Sequence, residues 1–120
     1  MEYLVETQFP EYAQAVVTEK ELPGIYEQLK DSATVTWNDG GDDVLIIALE
    51  DDYSVISLLT DDTPYYLTVS NDEGEVLVDM AGNESAVPRK ALAPRKLGLT
   101  VLLRADDLPG LRTDYTWCEQ

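Results

Sequence analysis

The sequence predicts an α+β fold: a single antiparallel sheet of about five to seven strands, with a meander at its centre and two helices packed on it. The first observation is the stretch 37–80, where four apolar runs alternate with acidic breaks. Short runs rich in Val, Ile, Leu and Tyr, joined by polar breaks, are typical of consecutive strands. The second observation is a pair of flanking segments with helical periodicity. A chain of 120 residues fits one domain, so we expect 1–120 to form a single α+β unit.

The four runs of the meander are 44–49, 53–60, 65–70 and 76–80. The first two are apolar on both faces, so they should be central strands whose second face is covered by the C-terminal helix or by a partner. Ahead of them, 33–38 alternates strictly and places Ala33, Val35 and Trp37 on one face. The NDGGDD sequence that follows is a strong turn signal, because Asn, Asp and Gly tolerate positive φ.

The first helix is predicted over 19–30. Thr18 and Glu21 form a capping-box pattern, and one apolar stripe follows. The second helix should begin at Pro94, which suits a first helical position, and extend to about 105. Gly98 costs this helix about 1 kcal/mol relative to alanine. The alternative is a helix that ends before Gly98 and a strand over 99–103, and we favour the helix.

Weaker signals predict the remaining strands and turns. Strands are expected over 3–8, 13–18 and 114–117. The segment 87–93 lies between two X-Pro steps, which favour extended backbone, and should be a short edge segment. Leu108-Pro109-Gly110 has the composition of a turn.

The meander also predicts where the acidic residues lie, because alternate turns fall at opposite ends of a sheet. One end should carry Asp39, Asp42, Asp43, Asp61 and Asp62. The other end should carry Glu50, Asp51, Asp52, Asp72 and Glu73.

The formal net charge of −16 is the unusual number in the composition. Residues 1–88 hold 20 acidic residues against two lysines, a net charge of −18, whereas residues 89–120 hold six basic residues against four acidic ones, a net charge of +2. Such a chain should repel nucleic acid and anionic membranes and should attract a basic partner. The simpler interpretation is that the charge serves only solubility.

The sequence lacks the residue types and motifs that usually carry catalysis. There is no histidine, no motif for a nucleotide or a nucleophilic serine, and Cys118 is the one cysteine. We therefore expect no enzymatic activity, no cofactor and no metal site; the adjacent aspartates lack the spacing of a calcium loop. A single cysteine excludes an internal disulfide and suits a reducing cytoplasm. No signal peptide or membrane span is visible, so we expect a cytoplasmic protein.

Aromatic residues lie beside several of the acidic pairs, and this combination is typical of an interface hot spot. The alternative is ordinary packing of strand side chains. The candidate partner-binding residues are Trp37, Asp39, Asp42, Asp43, Asp51, Asp52, Tyr53, Asp61, Asp62, Tyr65 and Tyr66. The sequence leaves open which end of the sheet binds, and it does not indicate an oligomeric state.

Several stretches resemble one family of known proteins. They are the strands DDVLIIAL and YSVISLL, the segment VPRKALAPRKLGLTVLLRADDLPGL, and a terminal strand that contains Trp117. This order, with the capped helix near Thr18, is similar to the bacterial immunity proteins of polymorphic toxin systems, in particular the Imm-one type found beside deaminase-like toxins. Gly98 within the second helix departs from the family pattern.

The resemblance implies a small, non-enzymatic cytoplasmic protein that binds one cognate toxin and blocks its active site. A toxin that acts on nucleic acid must bind phosphate, so the rim of its active site should be basic and should attract an acidic inhibitor. One alternative is an acidic adaptor or decoy that binds another basic partner, and a second is a small enzyme or ligand-binding module that uses the acidic loops.

Overall fold

The computed structural model of the protein describes residues 1–80 and 83–120. It is an α+β structure in which the described strands pair antiparallel throughout. The strands are β1 (Glu2–Thr7), β2 (Ala13–Thr18), β3 (Ala33–Asn38), β4 (Val44–Leu49), β5 (Tyr53–Thr60), β6 (Thr63–Thr68), β7 (Glu75–Met80), β8 (Asn83–Pro88), β9 (Leu92–Pro94) and β10 (Thr116–Glu119). The helices are α1 (Leu22–Gln28), α2 (Arg95–Leu102) and α3 (Leu108–Asp114), with a 3-10 turn at Arg89–Ala91.

The main sheet has the order β10-β6-β5-β4-β3-β1-β2, and β9 pairs with the first half of β5, in line with β6. The α+β class and the antiparallel sheet are therefore confirmed. The predicted five to seven strands and two helices are too few: the described residues form eight strands in the main sheet, two in a separate hairpin, and three α-helices.

One face of the main sheet is covered by the helices, and we call it the helix-covered face. Val35, Ile47 and Ile56 lie on it in register on adjacent strands and are fully buried. Two hydrogen bonds tie the helices to one another and to this face. The Tyr3 hydroxyl donates to Leu102 O at the end of α2 (2.7 Å), and the Tyr26 hydroxyl of α1 donates to Arg95 O.

Gly98 is where α2 approaches the sheet most closely. A Cβ atom at this position would lie 2.9 Å from Ile47 Cγ2 and would also meet the Tyr26 hydroxyl. The absence of a side chain lets α2 lie flat on the sheet, which explains why the helix keeps a residue that lowers its intrinsic stability. The helix continues through Gly98 as predicted, and the alternative strand over 99–103 is wrong.

The fourth run of the predicted meander does not join the main sheet. β7 pairs instead with β8, and this hairpin packs against the second face of β4 and β5 through a small cluster of Val78, Val87, Ala48 and Val55. The position beside β6 is taken by β10, whose Trp117 pairs with Leu67. The second face is thus covered in part by a hairpin, where the sequence suggested a helix or a partner.

Helix α1 is shorter than the predicted 19–30. The capping-box bonds exist, with Thr18 N donating to Glu21 Oε1 (3.0 Å) and Glu21 N donating to Thr18 Oγ1 (3.3 Å). They close the turn before the helix, which begins at Leu22 with Pro23 in its first turn. The missing N–H of Pro23 does not matter there, because N–H groups in the first turn have no intrahelical acceptor.

The C-terminal region has more structure than its sequence predicted. Leu108-Pro109-Gly110 is the first turn of α3, because Asp107 caps that helix by accepting a hydrogen bond from Gly110 N (3.2 Å). The predicted edge segment 87–93 is divided among the end of β8, the 3-10 turn and β9. The last strand lies at Thr116–Glu119, two residues later than predicted.

Among residues 1–80 and 83–120, no helix is long and apolar enough to cross a membrane.

Candidate functional site

The two hairpin turns β3–β4 and β5–β6 bring five aspartates to one end of the main sheet. The register fixes this, because Asn38 pairs with Val44, Val44 with Leu59, and Leu59 with Pro64. The sequence prediction that these residues share one end is confirmed. We call this group the aspartate end, and it consists of Asp39, Asp42, Asp43, Asp61 and Asp62.

The turn that holds Asp61 and Asp62 is under conformational constraint. Thr60 pairs with Thr63, so the two aspartates form a two-residue loop, and their φ angles are 52° and 59°. Two positive φ values in such a loop are the geometry for which Asn-Gly, Asp-Gly and Gly-Gly are the preferred sequences. Aspartate tolerates this conformation less well than glycine. The chain therefore places a second like charge, Asp62, where glycine would fit better.

Replacing Asp61 with asparagine and Asp62 with glycine should raise the free energy of unfolding by about 1 kcal/mol, since glycine adopts positive φ without steric cost. Chemical denaturation at neutral pH measures the change. The matched control is Asp61→Asn with Asp62→Asn, which removes the same two charges but keeps a side chain at both positions. Equal stability of the two double variants would show that charge, and not backbone geometry, limits the turn.

Beside the aspartate end, part of the second face of the sheet is uncovered, and we call it the open face. The β7–β8 hairpin packs over Ala48 and Val55 and leaves the opposite end of this face without a covering element among the described residues. Ile46 and Leu59 are each 38% exposed there, and Val16 is 65% exposed at the edge strand. An apolar area next to a rim of charge has the composition of a protein-binding surface.

The described ion pairs lie elsewhere. Arg104 is 3.4 Å from Asp107 and 2.9 Å from Asp114, and these are the salt bridges within 1–80 and 83–120. No basic side chain of the described chain therefore forms an ion pair with the aspartate end. Its charge is available to a partner, subject to screening by salt.

The aromatic candidates are not all on the surface. Trp37 is 8% exposed and belongs to the core on the helix-covered face, so its side chain cannot serve as a surface anchor in this structure. Tyr65 lies on the same face, with the Arg112 guanidinium carbon 5.3 Å from its ring centroid. Tyr53 and Tyr66 lie on the second face and pack against the hairpin cluster. Of the four aromatic residues, Tyr66 is the one that borders the open face, because it lies in register with Ile46 through Ser57.

At the other end of the sheet, five acidic residues line an open cleft of about 350 Å³ between the β4–β5 turn and β7. Hydrogen bonds hold three of their carboxylates in place. Asp51 N donates to Asp31 Oδ1 (2.8 Å), Ser32 Oγ donates to Asp79 Oδ2 (2.7 Å), and Ser32 N donates to Glu50 Oε2 (3.3 Å). We call this the carboxylate cleft, and its acids are Asp31, Glu50, Asp51, Asp52 and Asp79.

Glu50 is the unusual member of the cleft. It is only 8% exposed, and its Oε1 is buried with no hydrogen-bond donor. Burial, followed by the hydrogen bond and the charge of Asp31, raises the pKa of Glu50 to about 7. Hydrogen bonding to Asp31 also raises the pKa of Asp51. The Glu50 carboxyl group therefore changes its protonation state near neutral pH.

One basic side chain beside the cleft is used for structure. Arg95 of α2 donates to Glu50 O (2.6 Å), Tyr26 O (3.0 Å) and Leu29 O. Its guanidinium thus joins the end of α1 to the end of β4 through backbone carbonyls, and it forms no ion pair with a carboxylate of the cleft.

The sequence placed Glu50, Asp51 and Asp52 at this end, and the β4–β5 turn confirms it. Asp72 also lies near Asp52, with Glu73 beside it, although both precede a hairpin and not a strand of the main sheet. Asp31, Asp79 and the burial of Glu50 were not predicted. A signal for Glu50 was present, because it directly follows the apolar run 44–49, but Asp79 reaches the cleft only through the unexpected position of β7.

The part of the chain that the structure describes contains no group of three His, Cys, Asp or Glu side chains arranged to hold a metal ion. No family model matches the sequence, and no curated protein or solved structure matches it.

Proposed function

We propose that this protein is a non-enzymatic immunity protein, which binds and neutralises a cognate bacterial toxin that acts on nucleic acid. The observation that carries the proposal is the aspartate end: five carboxylates gathered by two turns, without ion-pair partners in the described chain, beside an apolar open face. These features support a basic protein partner. The resemblance of the sequence to polymorphic-toxin immunity proteins supports a toxin as that partner and the cytoplasm as the place of action.

The expected mechanism has two parts. The acidic rim attracts the phosphate-binding site of the toxin over a distance and speeds the encounter. Apolar contact on the open face, with Ile46 and Leu59 at its centre and Tyr66 beside them, then slows dissociation. Blocking the basic site excludes nucleic acid, and no covalent step is required of either protein.

The turn strain supports the proposal independently. Asp62 occupies a position where positive φ favours glycine. Unfavourable local geometry retained at the surface is common where a function requires the residue.

The charge contribution can be tested by converting Asp42, Asp43, Asp61 and Asp62 to asparagine. We expect the association rate with the toxin encoded next to this gene to fall at least tenfold at about 50 mM salt, because electrostatic steering accelerates association by roughly 10- to 1,000-fold. The dissociation rate should change little. Surface-plasmon-resonance kinetics measure both, and the difference in association rate should shrink at about 1 M salt.

The matched control neutralises four acids on the opposite side of the molecule: Glu11, Glu27, Asp72 and Glu73, each to its amide. It has the same net charge as the test variant and should associate nearly as fast as the wild type. An equal loss in both variants would assign the effect to total charge. If the neighbouring gene product neither binds this protein nor is neutralised by it in a growth assay, the proposed function is wrong. A non-toxic basic partner would instead identify an adaptor or decoy.

A further inference from the structure

Strand β2 lies at one edge of the main sheet, and the proposed function does not use its outer side. It pairs with β1 on one side, and no strand within residues 1–80 and 83–120 pairs with the other. Edge strands are usually protected by charged side chains, by proline or by being very short. β2 has six residues, AQAVVT, none of which is charged or proline. The opposite edge strand, β10, has four residues and includes Glu119.

The hydrogen bonds around β2 show which of its backbone groups face outward. In an antiparallel pair, alternate residues direct both their N–H and their C=O to the neighbouring strand. Glu19 N donates to Met1 O (2.9 Å), in the register that pairs Thr18 with Glu2. The odd-numbered residues of β2 therefore bond to β1, and the even-numbered ones face away. Thr18 agrees with this, because its N–H donates to the Glu21 side chain and not to β1.

Gln14 and Val16 keep free backbone groups at this edge. Their N–H and C=O groups have no partner among the described residues, which leaves two donors and two acceptors facing outward. The two residues are separated by one position, which is the spacing of successive hydrogen-bonded pairs in an antiparallel ladder. The structure that complements such a row is the backbone of another extended strand.

The side chains around this edge indicate what such a strand should carry. Val16 is 65% exposed on the second face of the sheet and lies in register with Leu4 of β1. Glu2 and Glu6 lie on either side of Leu4 on the same face, and neither forms a salt bridge within the described chain. An apolar residue of an added strand would pack on Val16. Basic residues two positions to either side would face the two glutamates across β2.

We propose that β2 recruits an extended segment of the basic protein partner as a further antiparallel strand, with an apolar residue on Val16 and a basic residue at the alternate position on each side. The inference rests on the proposed function for the identity of that partner. Backbone hydrogen bonds would supply affinity, and the alternate side chains would supply specificity. The added strand would extend a row of side chains that already crosses four strands of the second face: Val16, Leu4, Thr36 and Ile46.

The test uses the full chain and a synthetic probe, so it does not depend on the toxin. The probe is acetyl-Thr-Arg-Thr-Val-Thr-Arg-Thr amide, which places arginine, valine and arginine on one face of a strand. It is titrated into the labelled protein at about 150 mM salt, and the backbone amides of β2 are followed by NMR. We expect saturable shifts with a millimolar dissociation constant. The amides of Gln14 and Val16 should gain hydrogen bonds and shift most, whereas those of Ala15 and Val17 already bond to β1 and should shift least.

Two N-methylated probes test whether the backbone is recognised. In an antiparallel pair, the arginine and valine amides of the probe donate to β2, and the threonine amides face away. N-methyl groups on the arginine and valine amides should abolish binding, and N-methyl groups on the inner threonine amides should leave it. Equal effects of the two sets would overturn the proposal.

The protein is tested from its own side with Val16→Pro, which removes an outward N–H and no bond to β1. Proline is tolerated in edge strands where the N–H faces solvent. We expect binding of the probe to weaken about tenfold, because a backbone donor and part of the side-chain contact are lost. The matched control is Val16→Thr, which keeps the N–H and the branched shape and should bind nearly as tightly as the wild type. If Val16→Pro does not fold, the N-methylated probes decide.

Three further results would overturn the proposal. They are shifts that do not saturate, equal weakening by Val16→Pro and Val16→Thr, and shifts of the same amides with rising protein concentration alone, which would identify a second copy as the occupant. The toxin encoded next to this gene separates the inference from the proposed function. If that toxin does not bind, the proposed function is wrong and the probe measurement remains valid. If it binds Val16→Pro as tightly as the wild type, strand addition is wrong and the proposed function remains.

Discussion

Replacing Gly98 with alanine should lower the free energy of unfolding by about 2 kcal/mol, although alanine is the better helix former. The added methyl group would lie 2.9 Å from Ile47 Cγ2 and 3.3 Å from Ser54 Oγ, and it would displace the Tyr26 hydroxyl from Arg95 O. Overpacking of this kind costs about 1–3 kcal/mol and the lost hydrogen bond adds to it. These costs outweigh a gain of about 1 kcal/mol in helix propensity. Urea denaturation measures the change.

Gly24 in α1 is the matched control, because nothing lies within 4 Å of a Cβ atom at that position. Gly24→Ala should stabilise the protein by up to about 1 kcal/mol through propensity alone. The two glycine substitutions are thus expected to have opposite signs. If Gly98→Ala stabilised the protein as well, α2 would not lie as close to β4 and β5 as described.

Replacing Glu50 with glutamine should stabilise the protein at pH 8 by about 1–3 kcal/mol, since each unit of pKa shift corresponds to about 1.4 kcal/mol. The pKa of Glu50 rises from 4.5 to about 7 on folding, so the folded state binds the proton more tightly than the unfolded state. This contribution to stability is fully present below pH 4.5 and is lost as the pH rises through 7. Glutamine does not titrate, and the advantage of the variant should therefore grow between pH 4.5 and pH 8.

The measurement is a series of denaturation curves from pH 4.5 to pH 8.5 for the wild type, Glu50→Gln and the exposed control Glu19→Gln. The control should follow the wild type at every pH. A difference between Glu50→Gln and the wild type that stayed constant with pH would mean that burial does not perturb this carboxyl group.

The local patterns predicted most of the sheet. The alternation in 33–38 and the apolar runs 44–49 and 53–60 correspond to β3, β4 and β5, because a strand buried on one or both faces leaves a period of two or a continuous apolar run. The short hairpin turns then fixed the aspartate end. Pairing between distant segments could not be deduced in this way. Nothing local to β7 indicates that β10, some forty residues later, takes the place beside β6.

In the candidate site, too, local sequence predicts one part, and the other part depends on packing between distant segments. The five aspartates lie in turns, so local sequence was enough to group them. Trp37 was predicted to bind a partner because acidic residues follow it in the sequence. Those acidic residues belong to the turn, whereas the side chain of Trp37 alternates into the core. The carboxylate cleft depends on Asp31, Glu50 and Asp79 meeting across three elements, and only the packing of the β7–β8 hairpin brings them together.

The main sheet ends in two strands, β2 and β10, each with one side unpaired within the described chain. Such edges can recruit the same strand of another molecule and begin aggregation. Val16 on β2 is 65% exposed, so this edge has little local protection of its own. Mutual repulsion between molecules of net charge −16 keeps the edges apart. The acidity that we assign to partner binding therefore also protects the protein against aggregation. This protection weakens in concentrated salt and near the isoelectric point of about 4.1.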